Sequence, residues 1–375
     1  MKSYIYICNN FTGNKVHSEV ILKLSRKYSN INHYIFVPCS NRGLIGRNNI
    51  SKNNIIVEYF YVNKYMKFFP IIKSLIIIFM IISKIKFYKI DMKESKALSY
   101  TFWSDGVLCL YLYFIFGTVF STFVRTTDVS IFFKYGYHLR LFFRLIASKS
   151  KYIYFPSLVL MKNGEKTLFL EKNSNKFKFI PNPINDYWVD NIYYFDNLSI
   201  NNKKILFVGS FDLNKNIMAV FNSCSALYNL RGDFQLEFIG GSVTDFKKIC
   251  QINSIPDWVS VLDKIPKEEL LLKYRSSNIL LVPSFLETFG MVYIEAISQG
   301  CIAICSKNQG IDGLFSNENI LYTVDPCDCI SISEALNNLL DKDIKISDFE
   351  LKKLLLPFIS ENVINDYSSF YCEDS

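Results

Sequence analysis

Apolar residues recur along this chain in two alternating rhythms. Short continuous apolar runs, "YIYIC" at 4–8 and "HYIFVP" at 33–38, flank a stretch whose apolar positions Val16, Val20, Ile21 and Leu24 are spaced as on one face of a helix. Strand, helix, strand in that order predicts a parallel sheet with helices on its faces. The pattern continues with a helix-like 70–87, an apolar 107–124, a helix-like 138–149 and short strands at 152–156 and 177–183. Residues 191–204 break it: they are polar around Asn197, Asn201 and Asn202 and have no period, as a linker would be.

Alternation then restarts. Strands are expected at 204–210, 234–241, 259–265, 278–284 and 301–306, with helices at 216–230, 243–253, 267–277, 290–299 and 331–342. Two successive doubly wound units fit a pattern that stops and begins anew better than a barrel does. The expected organisation is a first domain over 1–190, a linker over 191–203, a second domain over 204–356 and a final helical segment over 357–375.

The run "VLCLYLYFIFGTVFSTFV", 107–124, has eighteen residues without a charge, the minimum for a transmembrane helix. Gly117 and the β-branched and aromatic residues after it give the other reading, a helix, a turn and a buried strand. Between Lys73 and Lys84 only ten uncharged residues occur, too few to span. "MKSYIYICNN" lacks a long apolar region and reads as a first strand, not a signal peptide.

Composition adds little to the fold and more to the surroundings. Half of the 375 residues are hydrophobic and 20% are charged, as in a globular protein, and ten cysteines without a C-x-x-C pair read as reduced thiols of a cytoplasmic chain. The net charge of +8 is concentrated before residue 180, where Lys64, Lys67, Lys73, Lys84, Lys86 and Lys89 are interleaved with aromatic and aliphatic residues. That mixture suits an anionic membrane surface, a phosphorylated substrate or nucleic acid, or else a buried helix with solvated lysines. The modest charge and the lack of a recognition motif count against nucleic acid.

The chemistry concentrates beyond strand ends, where open α/β sheets bind ligands. "VPSFLETFGMVYIEAISQG", 282–300, carries Glu287 after an apolar run and Glu295 inside a helical pattern. Burial of an unpaired carboxylate costs several kcal/mol, so each needs a partner. Hydroxyls of a sugar or a ribose would serve; so would a helix dipole for Glu287 and a lysine for Glu295. Gly290 permits close approach of a ligand to backbone amides suited to phosphate. In "VGSFDLNKN", 208–216, Gly209 ends a strand and Lys215 stands where the next helix begins, so the ammonium can meet a pyrophosphate. In the first half, Arg125 and Asp128 at the end of a buried strand read either as an anion site or as a structural pair. His17, His33 and His138 are the only histidines, and His17 and His138 read as surface or core residues.

Taken in order, these motifs resemble family 4 of the GT-B retaining glycosyltransferases. "ETFGMVYIE" resembles its E-x7-E element, "VGSFDLNKN" its phosphate loop and "FIPNPINDYW", 179–188, the segment that closes its first domain. "SDG" (104–106), "VRTTDVSIFF" (124–133) and "SKNQGIDGLF" (306–315) resemble members that build bacterial surface polysaccharides of the capsule or O-antigen kind. The resemblance implies two Rossmann-like domains facing across a cleft. It implies a nucleotide diphosphate sugar as donor and a glycan, lipid-linked, as acceptor, at the cytoplasmic membrane face. Neither metal nor other cofactor is implied.

Position by position, the resemblance makes Glu287 and Lys215 the catalytic pair, Glu287 on the donor sugar and Lys215 on the diphosphate. It puts Glu295 on the ribose, and Thr288, Phe289, Gly290 and Met291 with Gly209 and Ser210 around the donor. Gly13, Asp105, Arg125 and Asp128 are the acceptor or cleft candidates. Many members carry arginine directly after the loop glycine, where this chain has Ser210. A non-catalytic nucleotide-sugar-binding scaffold and an epimerase on the same fold are the competing expectations.

Overall fold

The computed structural model describes residues 2–13, 15–167, 170–193, 203–315, 319–342 and 347–372. The chain divides into two compact units. One comprises Met1–Pro156, Leu160–Pro183 and Ser360–Ser375, the other Ser157–Val159 and Ile184–Ile359. The linker expected at 191–203 falls largely on 194–202, outside the described residues.

In the first unit seven strands, β1 (Ser3–Ile7), β2 (Asn32–Cys39), β3 (Ile55–Tyr61), β4 (Lys96–Ser99), β5 (Val119–Phe123), β6 (Ile153–Phe155) and β7 (Phe177–Phe179), form a parallel sheet in the order β3-β2-β1-β4-β5-β6-β7. In the second, β8 (Lys203–Val208), β9 (Phe234–Ile239), β10 (Val259–Leu262), β11 (Ile279–Val282), β12 (Ile302–Ser306) and β13 (Leu321–Val324) are parallel in the order β10-β9-β8-β11-β12-β13. Both are doubly wound. The direction of winding reverses between β1 and β4 and between β8 and β11, and a crevice beyond the carboxyl ends of those strands is where such sheets bind ligands.

The apolar runs are continuous because these strands are buried on both faces. Alternate residues of β1 serve the two layers: Ile5 and Ile7 join a core with Phe36, Ala97, Val107 and Ile146, while Tyr4 and Tyr6 join one with Val20, Leu24, Val363 and Phe370. The run at 107–124 folds as a helix, Gly106–Phe116, a left-handed turn at Gly117 (φ 75°) and β5. Among the described residues no helix is long and apolar enough to cross a membrane.

Three strands escape the sequence pattern. β3 is half-exposed at the sheet edge with Glu58 at its centre, β13 has four residues at the other sheet's edge, and β4, "KALS", begins with a lysine. Lys96 is nevertheless buried, its Nζ 3.2 Å from the Phe370 carbonyl. The final segment is two short helices, Ser360–Asp366 and Ser368–Cys372, not one.

Those helices belong to the first unit's core. The Tyr4 hydroxyl donates to the Tyr371 carbonyl (3.1 Å), and the Tyr6 and Tyr371 hydroxyls share a 2.7 Å bond. The Tyr6 oxygen also meets His33 Nδ1 at 2.8 Å, and His33 Nε2 faces the Tyr28 carbonyl. Burial pushes the His33 pKa down to about 4, so the imidazole stays neutral within this network. Phe370 is fully buried beside Tyr4. Replacing it by alanine (Phe370→Ala) is expected to destabilise the first unit by about 3–5 kcal/mol, the usual range for a buried phenylalanine, read from the urea unfolding midpoint.

Candidate functional site

In the second unit the site grows out of β8 and β11, neighbours at the winding reversal. β8 runs into Gly209, whose amide donates to the Ile239 carbonyl (3.0 Å), and the stem of Lys215 lies over it. Gly240, at φ 132°, packs so closely that an added Cβ would come within 2.1 Å of the Gly209 oxygen. Asp212 caps the turn by accepting from the Lys215 amide (3.1 Å), and the Ser210 hydroxyl donates to its other oxygen (2.5 Å). Ser210 is therefore engaged locally and supplies no positive charge where an arginine would.

The loop after β11 is stitched to this turn by Asn214. Its carbonyl accepts from the Phe285 amide, its side chain accepts from the Leu286 amide, and its Nδ2 donates to the Leu286 carbonyl, each at 2.9 Å. Asn216, left-handed at φ 58°, donates its side-chain amide to the carbonyls of Pro283 and Pro326. With both loops fixed, Lys215 Nζ meets Glu287 Oε2 at 2.7 Å, both side chains being part-buried. The Glu287 amide donates to Gln309 Oε1 (3.1 Å) and its carbonyl accepts from Gly310 (3.1 Å). Gly290 (φ 84°) and Gly310 (φ 51°) pack against this glutamate, and a Cβ on either would crowd it.

Glu287, Thr288, Gly290 and Met291 thus stand with Gly209, Ser210 and Lys215 at the ends of β8 and β11, with Met291 opening the helix Met291–Ser298. Phe289 faces elsewhere: its ring is buried against Phe358, so this position offers its backbone and not a ring. Glu295 lies on the same helix beside the Tyr274 hydroxyl and the Trp188 indole. Desolvation pushes its pKa up to about 7, and the nearby polar Tyr274 and Trp188 side chains draw it down only in part. Among the described residues no lysine forms an ion pair with Glu295, so the pairing considered for it from sequence gives way to a tyrosine and a tryptophan as neighbours. Asn214, Asn216 and Gln309 were not singled out from sequence. Their signal is position alone, polar amides beside a glycine-bearing strand end.

The first unit has a corresponding crevice. Asp105 is fully buried and accepts twice from the Asn9 amide (3.2 and 3.3 Å), while its own amide donates to Thr101 Oγ1. Burial pushes its pKa up to about 8, opposed by those hydrogen bonds. Asp128 accepts from the amides of Phe102 (3.0 Å), Trp103 (3.1 Å) and Arg125 (2.9 Å); burial still raises its pKa to about 6. It staples the loop after β4 to the turn after β5. The Arg125 guanidinium lies over the Phe123 ring and donates to the Tyr100 carbonyl (3.1 Å) and Asn182 Oδ1 (3.3 Å). Of the two readings left open for Arg125 and Asp128, the side-chain pair is replaced by carboxylate-to-amide bonds. Gly13 closes a turn after β1 through its bond to the Asn10 carbonyl and lines a cavity with Asn9, Thr12 and Ser40. His17 is buried against Tyr100 and His138 is exposed. Among the described residues no group of three or more His, Cys, Asp or Glu could hold a metal ion.

Residues 194–352 match the family model described as Glycosyl transferases group 1. The chain is 27% identical over 154 residues, 39% of its length and 37% of the relative's, to the D-inositol 3-phosphate glycosyltransferase of Corynebacterium glutamicum (strain R). It is 29% identical over 86 residues, 23% of its length and 22% of the relative's, to the O-antigen chain mannosyltransferase B of Escherichia coli. The chain therefore spans well under half the length of these curated relatives. Among solved structures it is similar to the sucrose-phosphate synthase of Thermosynechococcus elongatus (TM-score 0.71, 16% identity, 98% of both chains). It is also similar to Anabaena HepE in complex with UDP (TM-score 0.68, 11% identity, 98% of this chain and 99% of the other). Such identities speak to fold, which is the GT-B type with two Rossmann-like domains, and the family model and the relatives' names point to a glycosyltransferase.

Two outcomes follow. Between its ordinary 4.5 and about 7, Glu295 holds a proton in the folded chain that the unfolded chain has released, so stability falls as pH rises through that window. Glu295→Gln removes this loss: relative to the wild type its melting temperature should rise between about pH 5 and about pH 8, by the equivalent of at most about 3 kcal/mol. Asp128→Ala leaves three backbone amides without their acceptor and should lower stability by about 3 kcal/mol or more in urea titration.

Proposed function

We propose that the chain is a retaining, metal-independent glycosyltransferase that moves a hexose-type sugar from a nucleoside diphosphate to a lipid-linked glycan acceptor in surface-polysaccharide synthesis. The observation that carries this reading is the Lys215–Glu287 pair at the winding reversal of the second sheet. An ammonium and a carboxylate held together beyond β8 and β11 suit a ligand that is anionic at one end and rich in hydroxyls at the other. Lys215, with the amides that open the helix Met291–Ser298, supplies positive charge where the diphosphate departs, so no metal is required. Glu287 accepts hydrogen bonds from the sugar, and Glu295, once ionised, from the ribose diol.

In the step so read, the bond from the anomeric carbon to the diphosphate oxygen breaks and one to an acceptor hydroxyl oxygen forms on the same face. The hydroxyl proton passes to the departing diphosphate. The first unit, with Asp105 and Arg125 beyond β4 and β5, receives the acceptor. A second reading, a scaffold subunit that binds the donor without turning it over, is favoured by one observation, the Ser210 hydroxyl spent on Asp212 in place of an arginine.

Nucleoside diphosphate release from UDP-, GDP- and ADP-sugars, with and without a glycan acceptor, separates the two. Turnover is expected with one of these donors, and Lys215→Ala should lower kcat by about 10²–10³-fold, the loss typical of removing one charge-stabilising donor. Donor binding, seen as a thermal shift, without turnover would favour the scaffold. Neither binding nor turnover with any nucleotide sugar would overturn both.

A further inference from the structure

In the first unit two cavities of about 100 and 280 Å³ adjoin, sharing Asn9, Pro38 and Lys73. The first is also lined by Lys67, Ser74, Trp103, Asp105 and Phe132. Among the described residues neither Lys67 nor Lys73 forms an ion pair, and burial pushes the Asp105 pKa up, which lessens the negative charge set against an anion there. Two lysines that line one cavity, neither of them in an ion pair, suit a phosphate.

The surface around this mouth is apolar to a degree unusual for a water-facing helix. Helix Pro70–Phe87 buries Ser74, Ile77, Ile78, Ile81 and Ile85, yet exposes Ile72, Leu75, Ile76 and Phe79 on its other side. The turn before it exposes Tyr65, Phe68 and Phe69; Phe68 is 67% exposed and Phe79 69%, values at which most of each residue faces water. Across the cavity, the segment that contributes Phe132 exposes Ile131, Tyr135, Tyr137 and Leu141. Charge of one sign accompanies both. No acid occurs between Glu58 and Asp91 against six lysines, nor between Asp128 and Glu165, where Lys134, Arg140 and Arg144 lie. Lys64, Lys67 and Lys134 set their nitrogens 5.1 to 5.3 Å from the rings of Tyr65, Phe68 and Tyr135. Rings with cations beside them, and no acid in either stretch, match a layer of acyl chains under phosphates. A protein partner of mixed charge would leave these cations unmatched.

Building on the acceptor class read above, we propose that this face docks on an anionic bilayer and that Lys67 and Lys73 hold the phosphate of a lipid-borne acceptor at the cavity mouth. The rings enter the headgroup layer while the lysines remain at phosphate level, so the acceptor reaches the cavity without leaving the membrane.

The test needs no turnover. The full chain is sedimented with vesicles of phosphatidylcholine alone or mixed with equal parts of phosphatidylglycerol. Binding is expected only to the mixed vesicles, and Phe68→Ser with Phe79→Ser should weaken it at least about tenfold, since each loses apolar contact with the bilayer. Both side chains are exposed, so the melting temperature of this variant should match the wild type. In solution, short-chain phosphatidic acid should bind saturably, about tenfold more weakly to Lys67→Gln with Lys73→Gln. The matching diacylglycerol should not bind, and inorganic phosphate should bind less tightly than phosphatidic acid. Failure to bind mixed vesicles, or binding unchanged by the ring substitutions, would overturn the docking. Phosphatidic acid binding unchanged in the lysine variant, or matched by inorganic phosphate, would overturn the lipid-phosphate site. Vesicle binding with no sugar transfer to any acceptor would instead remove the glycosyltransferase reading and leave the docking standing.

Discussion

An ammonium and a carboxylate brought to 2.7 Å from two separate loops set the terms for the second unit. Each of Lys215 and Glu287 is drawn partly out of water, and each compensates the other's desolvation only if both loops hold their shape. The surrounding polar residues enforce that shape. Asn214 binds three backbone groups of the opposite loop, Asn216 takes a left-handed conformation to reach two carbonyls, and Gly290 and Gly310 leave room for the glutamate between them. A ligand that engages either charge must repay the other, which favours a molecule bearing both an anion and hydrogen-bond donors over a simple phosphate.

The first unit solves a similar problem with backbone instead of a counter-ion. Asp128 accepts three amides and so fixes the loops after β4 and β5, the two that carry Asp105 and Arg125. Arg125 is left to an aromatic ring, a carbonyl and a side-chain amide. The second unit therefore presents a charge pair and the first a guanidinium and a buried carboxyl whose pKa burial raises, different chemistries at equivalent places in two similarly wound sheets.

Much of this was legible in the sequence because parallel strands, buried on both sides, write themselves as unbroken apolar runs. β1, β2, β8, β9, β11 and β12 all stand where such runs lie, and the glycine and glutamate motifs follow β8 and β11. The pattern fails where burial is one-sided or is achieved by a polar group. β3 is a half-exposed edge, and β4 starts with a lysine whose charge is satisfied by a carbonyl 274 residues away. Side-chain partners were less visible still. A tyrosine and a tryptophan beside Glu295, or three amides on Asp128, involve groups distant in sequence whose meeting no periodicity announces.

The return of Ser360–Asp366 and Ser368–Cys372 to the first unit has a consequence for how the chain is made. A ribosome delivers the strands of that unit early, yet Val363, Phe370 and Tyr371, which complete the cover of Tyr4 and Tyr6, emerge only after the whole second sheet. The intervening second unit is continuous enough to fold while the first still exposes the part of the layer around Tyr4 and Tyr6 not covered by the helix bearing Val20 and Leu24. During synthesis, then, the earlier half of the protein is the later to mature, and its partly covered tyrosine-rich layer is the surface that a chaperone would meet.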